Sequence, residues 1–106
     1  PPRRVARLGV FGLARIKQST RSVRGVAGTW SHMAPEIVNR EAYDTAVDVY
    51  SFAMVLVELY TGARPLPLTW SEEEVRQKVA RQDGYRPELP AGLVPPDVAG
   101  LIRECW

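Results

Sequence analysis

Two short motifs bracket a basic stretch rich in hydroxyls. Val10-Phe11-Gly12 stands at one end and Gly28-Thr29-Trp30-Ser31-His32-Met33-Ala34-Pro35-Glu36 at the other, with Ser19, Thr20 and Ser22 between them beside Arg21 and Arg24. A hydroxyl can accept a phosphoryl group, and a guanidinium binds phosphate oxygens in a bidentate fork. The three hydroxyls are therefore candidate phosphorylation sites, and the arginines candidate receivers of a phosphate or an acidic partner. A solvated loop is the plainer reading of the same residues. Residues 1–40 carry eight Lys or Arg against the single acid Glu36, net +7, which leaves −5 for the rest of a chain of formal charge +2. This basic half lacks interleaved aromatics and any recognisable binding motif, so nucleic acid is not expected as a partner. His32 has no companion ligands near it in sequence, and no metal site is expected. Cys105 is the one cysteine of the chain and cannot form an internal disulfide.

These residues need elements to position them. An apolar content of 45% and a charged content of 25% fit a folded globular piece. Val5–Val10 is a short run with β-branched ends and predicts a strand that delivers Phe11 and Gly12 at its exit. Lys17–Gly28 follows neither period and reads as loop. A short helix is expected over Ala34–Val38, with Pro35 in its first turn. The next helix, Thr45–Tyr60, is the firmest: Thr45 and Asp48 form a T-x-x-D variant of the capping box and Gly62 supplies the stop. Its apolar residues cover nearly every side, which predicts burial all round. A turn-rich linker, Thr61–Trp70, leads to a second capping box at Ser71 and Glu74 and to an amphipathic helix over Glu72–Gln82, ended by Asp83-Gly84. The proline-rich stretch Arg86–Pro96 is too punctuated for regular structure. A last helix, Asp97–Trp106, is expected to place Val98, Leu101, Ile102 and Cys105 on one face. The longest apolar stretch, Ala46–Tyr60, holds Asp48 and Glu58 and is too short to span a bilayer. The start, Pro1-Pro2-Arg3-Arg4, has neither an initiator methionine nor an apolar signal core, so a missing upstream region and a cytoplasmic location are expected.

The bracketing motifs resemble the two ends of a protein-kinase activation segment, D-F-G and A-P-E. Asp48-Val49-Tyr50-Ser51-Phe52-Ala53 is similar to the D-V-W-S-F-G opening of the long central helix of the kinase large lobe. Glu58-Leu59-Tyr60-Thr61-Gly62-Ala63-Arg64-Pro65-Leu66 resembles its E-L-x-T-G-x-x-P-F exit. Arg86-Pro87 and Leu101-Ile102-Arg103-Glu104-Cys105-Trp106 resemble the later R-P and L-I-x-x-C-W patterns, which point to the tyrosine-kinase-like and tyrosine-kinase groups. The resemblance implies a mainly α fold, part of a protein-kinase-like large lobe without the small lobe and catalytic loop. Within it, 1–40 would be strand, V-F-G and activation segment to A-P-E, and 41–106 a helical subdomain.

By the same resemblance, the activation segment is marked by Val10, Phe11, Gly12, Thr29, Ala34, Pro35 and Glu36. Thr29 would set a substrate hydroxyl in place, as in serine/threonine kinases, where tyrosine kinases usually have proline. As a residue, it is equally a threonine bonding locally in a turn. Asp48 would support the backbone of the catalytic loop, or serve only as a carboxylate at a helix N-terminus. Glu36 would pair with an arginine lying beyond Trp106. Val10 stands where the family has the aspartate that holds Mg²⁺ on the ATP phosphates, and a valine has no oxygen to give. No G-x-G-x-x-G, V-A-I-K-like strand or H-R-D-x-x-x-x-N occurs in the sequence. The chain alone is thus expected to be inactive, with no cofactor of its own. A complete active parent would use ATP and Mg²⁺ and act on a protein substrate, with the small lobe and catalytic loop as intramolecular partners. The competing reading is a pseudokinase, a non-catalytic binding or scaffold module. A free-standing domain is disfavoured, because two short helices and loops could not cover the central helix, and the isolated chain is expected to associate.

Overall fold

The computed structural model describes residues 4–9, 30–82 and 84–106. Val10, Phe11, Gly12, Ser19, Thr20, Ser22 and Thr29, with the expected loop Lys17–Gly28 and the stop at Asp83, lie outside the described residues. Residues 4–9 form no strand, and Val5 and Leu8 are exposed. A strand needs a neighbouring ladder for its N–H and C=O groups, and none pairs with this segment among the described residues.

Four α-helices organise the rest: α1 (Pro35–Val38), α2 (Ala46–Thr61), α3 (Glu72–Val75) and α4 (Pro96–Cys105), with a π-helix, Arg76–Gln82, running on from α3. Pro35 opens α1, where its missing N–H costs nothing. The capping box expected at Thr45 and Asp48 does not form. Thr45 already has helical backbone angles and its side chain makes no cap bond, so its hydroxyl is not presented to the first free N–H groups. The neighbouring Asp44 takes over part of that task, its Oδ1 accepting from the Ala46 N–H at 2.9 Å. Gly62 ends α2 as expected, at φ 68° with its N–H donating to the Glu58 carbonyl, a left-handed position that side chains resist.

The second capping box is complete: the Glu74 N–H donates to Ser71 Oγ at 3.3 Å and the Ser71 N–H to Glu74 Oε2 at 2.7 Å. The expected helix over Glu72–Gln82 is present as a continuous run, but it changes from α to π at Arg76. Val75 and Val79 both reach the core. The stretch 84–95 has no helix or strand, and α4 begins at Pro96, one residue earlier than expected. Ile102 is buried and Val98 and Cys105 are half-buried, whereas Leu101 is exposed. Successive residues of a helix point about 100° apart, so Leu101 turns away from the direction that Ile102 takes into the core.

α2 divides the core in two. On one side Val47, Tyr50 and Met54 pack with Met33, Ala34, Ile37 and Val38 and with Leu66, Val75 and Val79. On the other Ala53 and Val57 pack with Val94, Ala99 and Ile102. All-round burial of α2 is not observed: Val49, Phe52, Val55 and Leu59 are 42–73% exposed. Apolar residues on every side call for a complete shell, and the described residues cover only part of the circumference.

Candidate functional site

The residues of the A-P-E motif sit where the chain enters α1. Ala34 takes an extended backbone before the first turn and is fully buried beside Met33, which fixes the depth of the motif in the core. Two polar contacts fasten the preceding turn to α2, and a third braces His32 within the turn. Ser51 Oγ donates to the His32 carbonyl at 2.7 Å, His32 Nε2 lies 3.3 Å from Glu58 Oε2, and Ser31 Oγ is 2.9 Å from His32 Nδ1. With the proton on Nε2, that nitrogen donates to Glu58 while Nδ1 accepts from the Ser31 hydroxyl, so a neutral ring satisfies both partners. His32, at which no metal site is expected, is half-buried and joined to a carboxylate 26 positions away. No local pattern signals such a pair.

α1 is held from its far end by Arg76. The Arg76 Nε–H donates to the Val38 carbonyl at 3.1 Å, and the same guanidinium bonds to Glu72 at 3.1 Å and to Glu73. An arginine placed on the last carbonyls of a helix satisfies acceptors that have no partner within the helix. Arg81 adds a bond from its Nε–H to Asn39 Oδ1 at 3.0 Å. The bond from Gln77 is the largest cause holding the Glu73 carboxyl below the usual range; desolvation opposes it, and Arg76 and Arg81 add to the lowering.

Glu36 is half-buried, and no ion pair reaches it among the described residues. It faces a cleft of about 450 Å³ between α1, α2 and α4, shared with Tyr50, Arg86, Glu104 and Trp106. Burial pushes the Tyr50 hydroxyl up to about 12, with the Arg86 guanidinium opposing the shift and Glu36 adding to it. The guanidinium lies 5.1 Å from the Tyr50 ring centre, within cation–π range. Among the described residues, the buried Tyr50 hydroxyl and Trp106 indole N–H have no hydrogen-bond partner. Asp48 is exposed in the first turn of α2, where a carboxylate suits the positive end of the helix.

The structure therefore brings Ala34, Pro35 and Glu36 onto one platform with α2, and it leaves Asp48 on the solvent side of that helix. A fold of this kind, with an A-P-E motif docked on a central helix that ends in E-L-Y-T-G, is that of the kinase large lobe. The family model for the protein tyrosine and serine/threonine kinases matches residues 2–106, and the chain belongs to that family. It is similar to the serine/threonine-protein kinase VIK of Arabidopsis thaliana, at 33% identity over 94% of this chain and 23% of the relative. The serine/threonine-protein kinase STY17 of the same plant is also 33% identical, over 96% of this chain and 17% of the relative. The serine/threonine/tyrosine-protein kinase HT1, again of that plant, is 36% identical over 91% of this chain and 24% of its own length. The chain thus spans less than a quarter of each of these relatives, and it is a mainly helical part of a serine/threonine-type kinase domain. No helix among the described residues is long and apolar enough to cross a membrane.

Proposed function

We propose that the complete protein transfers the γ-phosphoryl group of ATP to a serine or threonine of a protein substrate, and that this chain supplies the end of its activation segment and the platform beneath it. The observation that carries the reading is the fastening of the turn at residues 30–33 to α2 through Ser51, His32 and Glu58. Phosphoryl transfer asks the protein mainly for positioning and electrostatic stabilisation, and a rigid platform serves the first. In this reading Thr29 sets the substrate hydroxyl, Asp48 supports the catalytic loop and Val10, Phe11 and Gly12 open the activation segment that Ala34, Pro35 and Glu36 close. Ser19, Thr20 and Ser22 are its phosphorylation sites, with the neighbouring arginines receiving the phosphate. The small lobe and catalytic loop are intramolecular partners, and the exposed side of α2 is available to the rest of the lobe. The division into an activation segment over 1–40 and a helical subdomain over 41–106 belongs to this proposal, as does a cytoplasmic location.

The family uses ATP with Mg²⁺, and the residues present do not fit the metal. The Val10 side chain offers no oxygen at the family's ligand position, and among the described residues no three His, Cys, Asp or Glu side chains cluster. No step is assigned to Mg²⁺ on this chain, and by itself the chain is proposed to be inactive. Val10 favours a second reading, a pseudokinase that uses the same fold to bind a protein partner. Magnesium-dependent phosphorylation by the complete protein, with Val10 and as Val10→Asp, separates the two. Robust activity that is equal in both supports catalysis by the natural protein, whereas activity only in Val10→Asp supports the binding module.

A further inference from the structure

We draw no further inference here: the strongest candidate, the cleft between α1, α2 and α4 in which the Tyr50 hydroxyl and the Trp106 indole N–H lie buried without partners, also holds Glu36 and so restates the seat that the family resemblance already gives to an arginine beyond Trp106.

Discussion

The two sides of α2 are alike in composition and opposite in environment. Val47, Tyr50, Ala53, Met54 and Val57 are buried against α1, α3, the π-helix and α4, while Val49, Phe52, Val55 and Leu59 face outward. Burying one such side chain is worth about 1.5–3 kcal/mol. Four left about half exposed forgo roughly half of that each, a few kcal/mol in all, which is a sizeable fraction of the net stability of a domain, about 5–15 kcal/mol. The helix sequence is therefore written for a larger assembly than the described residues provide. This agrees with the small share of its relatives that the chain spans. Ser51 and Glu58 add polar contacts from α2 to the turn before α1.

The largest expected effect lies on the covered side. Met54 is fully buried in the first cluster and Ile102 in the second. Truncating either to alanine should cost about 2–5 kcal/mol in urea unfolding of the chain. A loss below about 1 kcal/mol at both positions would erase the distinction between the two sides.

Tyr50 gives a second contrast, and it depends on pH. Its hydroxyl titrates near 10 when unfolded and near 12 in the fold, because burial disfavours the phenolate. The fold thus prefers the protonated form. That contribution is complete below about pH 10 and is lost as pH rises through about 12, by ~3 kcal/mol at most. Tyr50→Phe should remove this part of the alkaline loss and, by deleting an unpartnered buried hydroxyl, should leave stability at pH 7 unchanged or raise it by about 1 kcal/mol. Urea midpoints at pH 7 and pH 11 for the two proteins test this. Parallel losses in both would mean that the hydroxyl is solvated.

Smaller effects are expected from the local polar contacts. Ser51→Ala removes the bond to the His32 carbonyl and should cost about 1 kcal/mol. Because His32 is the one histidine of the chain, its imidazole NMR signals report the loosened turn without overlap. Unchanged signals would place the turn under the control of Met33 and Ala34 packing alone. The smallest change in stability belongs to the outward side. Phe52→Ser combined with Leu59→Gln should alter unfolding by no more than about 0.5 kcal/mol for each site, yet should shift the chain towards monomer in sedimentation, since exposed apolar patches drive association. Association that persists in the double variant would locate the contact elsewhere.

Much of this arrangement was legible beforehand, for reasons that can be traced to particular residues. Gly62 announced the end of α2 because a left-handed backbone favours glycine. Ser71 and Glu74 announced the start of α3 because a serine and a glutamate three residues apart satisfy each other's N–H groups. Thr45 and Asp48 offered a related spacing and failed, since Thr45 was drawn into helical angles and Asp44 supplied the oxygen. Leu101 shared the apolar character of Ile102 but not its direction. The motifs of the activation segment were readable as a resemblance, and the family match bears out the kinase assignment. Their opening residues, Val10, Phe11 and Gly12, lie outside the described residues.

The sequence by itself determined the order of helices, most of their ends and membership of the kinase family, because caps, turn residues and ordered motifs act over a few neighbouring positions. It also determined that the Val10 side chain has no oxygen for a metal. Tertiary structure decided which side of an apolar helix is covered, where Arg76 secures α1 and how His32 meets Glu58. Those outcomes depend on segments 26 to 38 positions apart approaching each other, and short-range chemistry holds no record of distances that only packing sets.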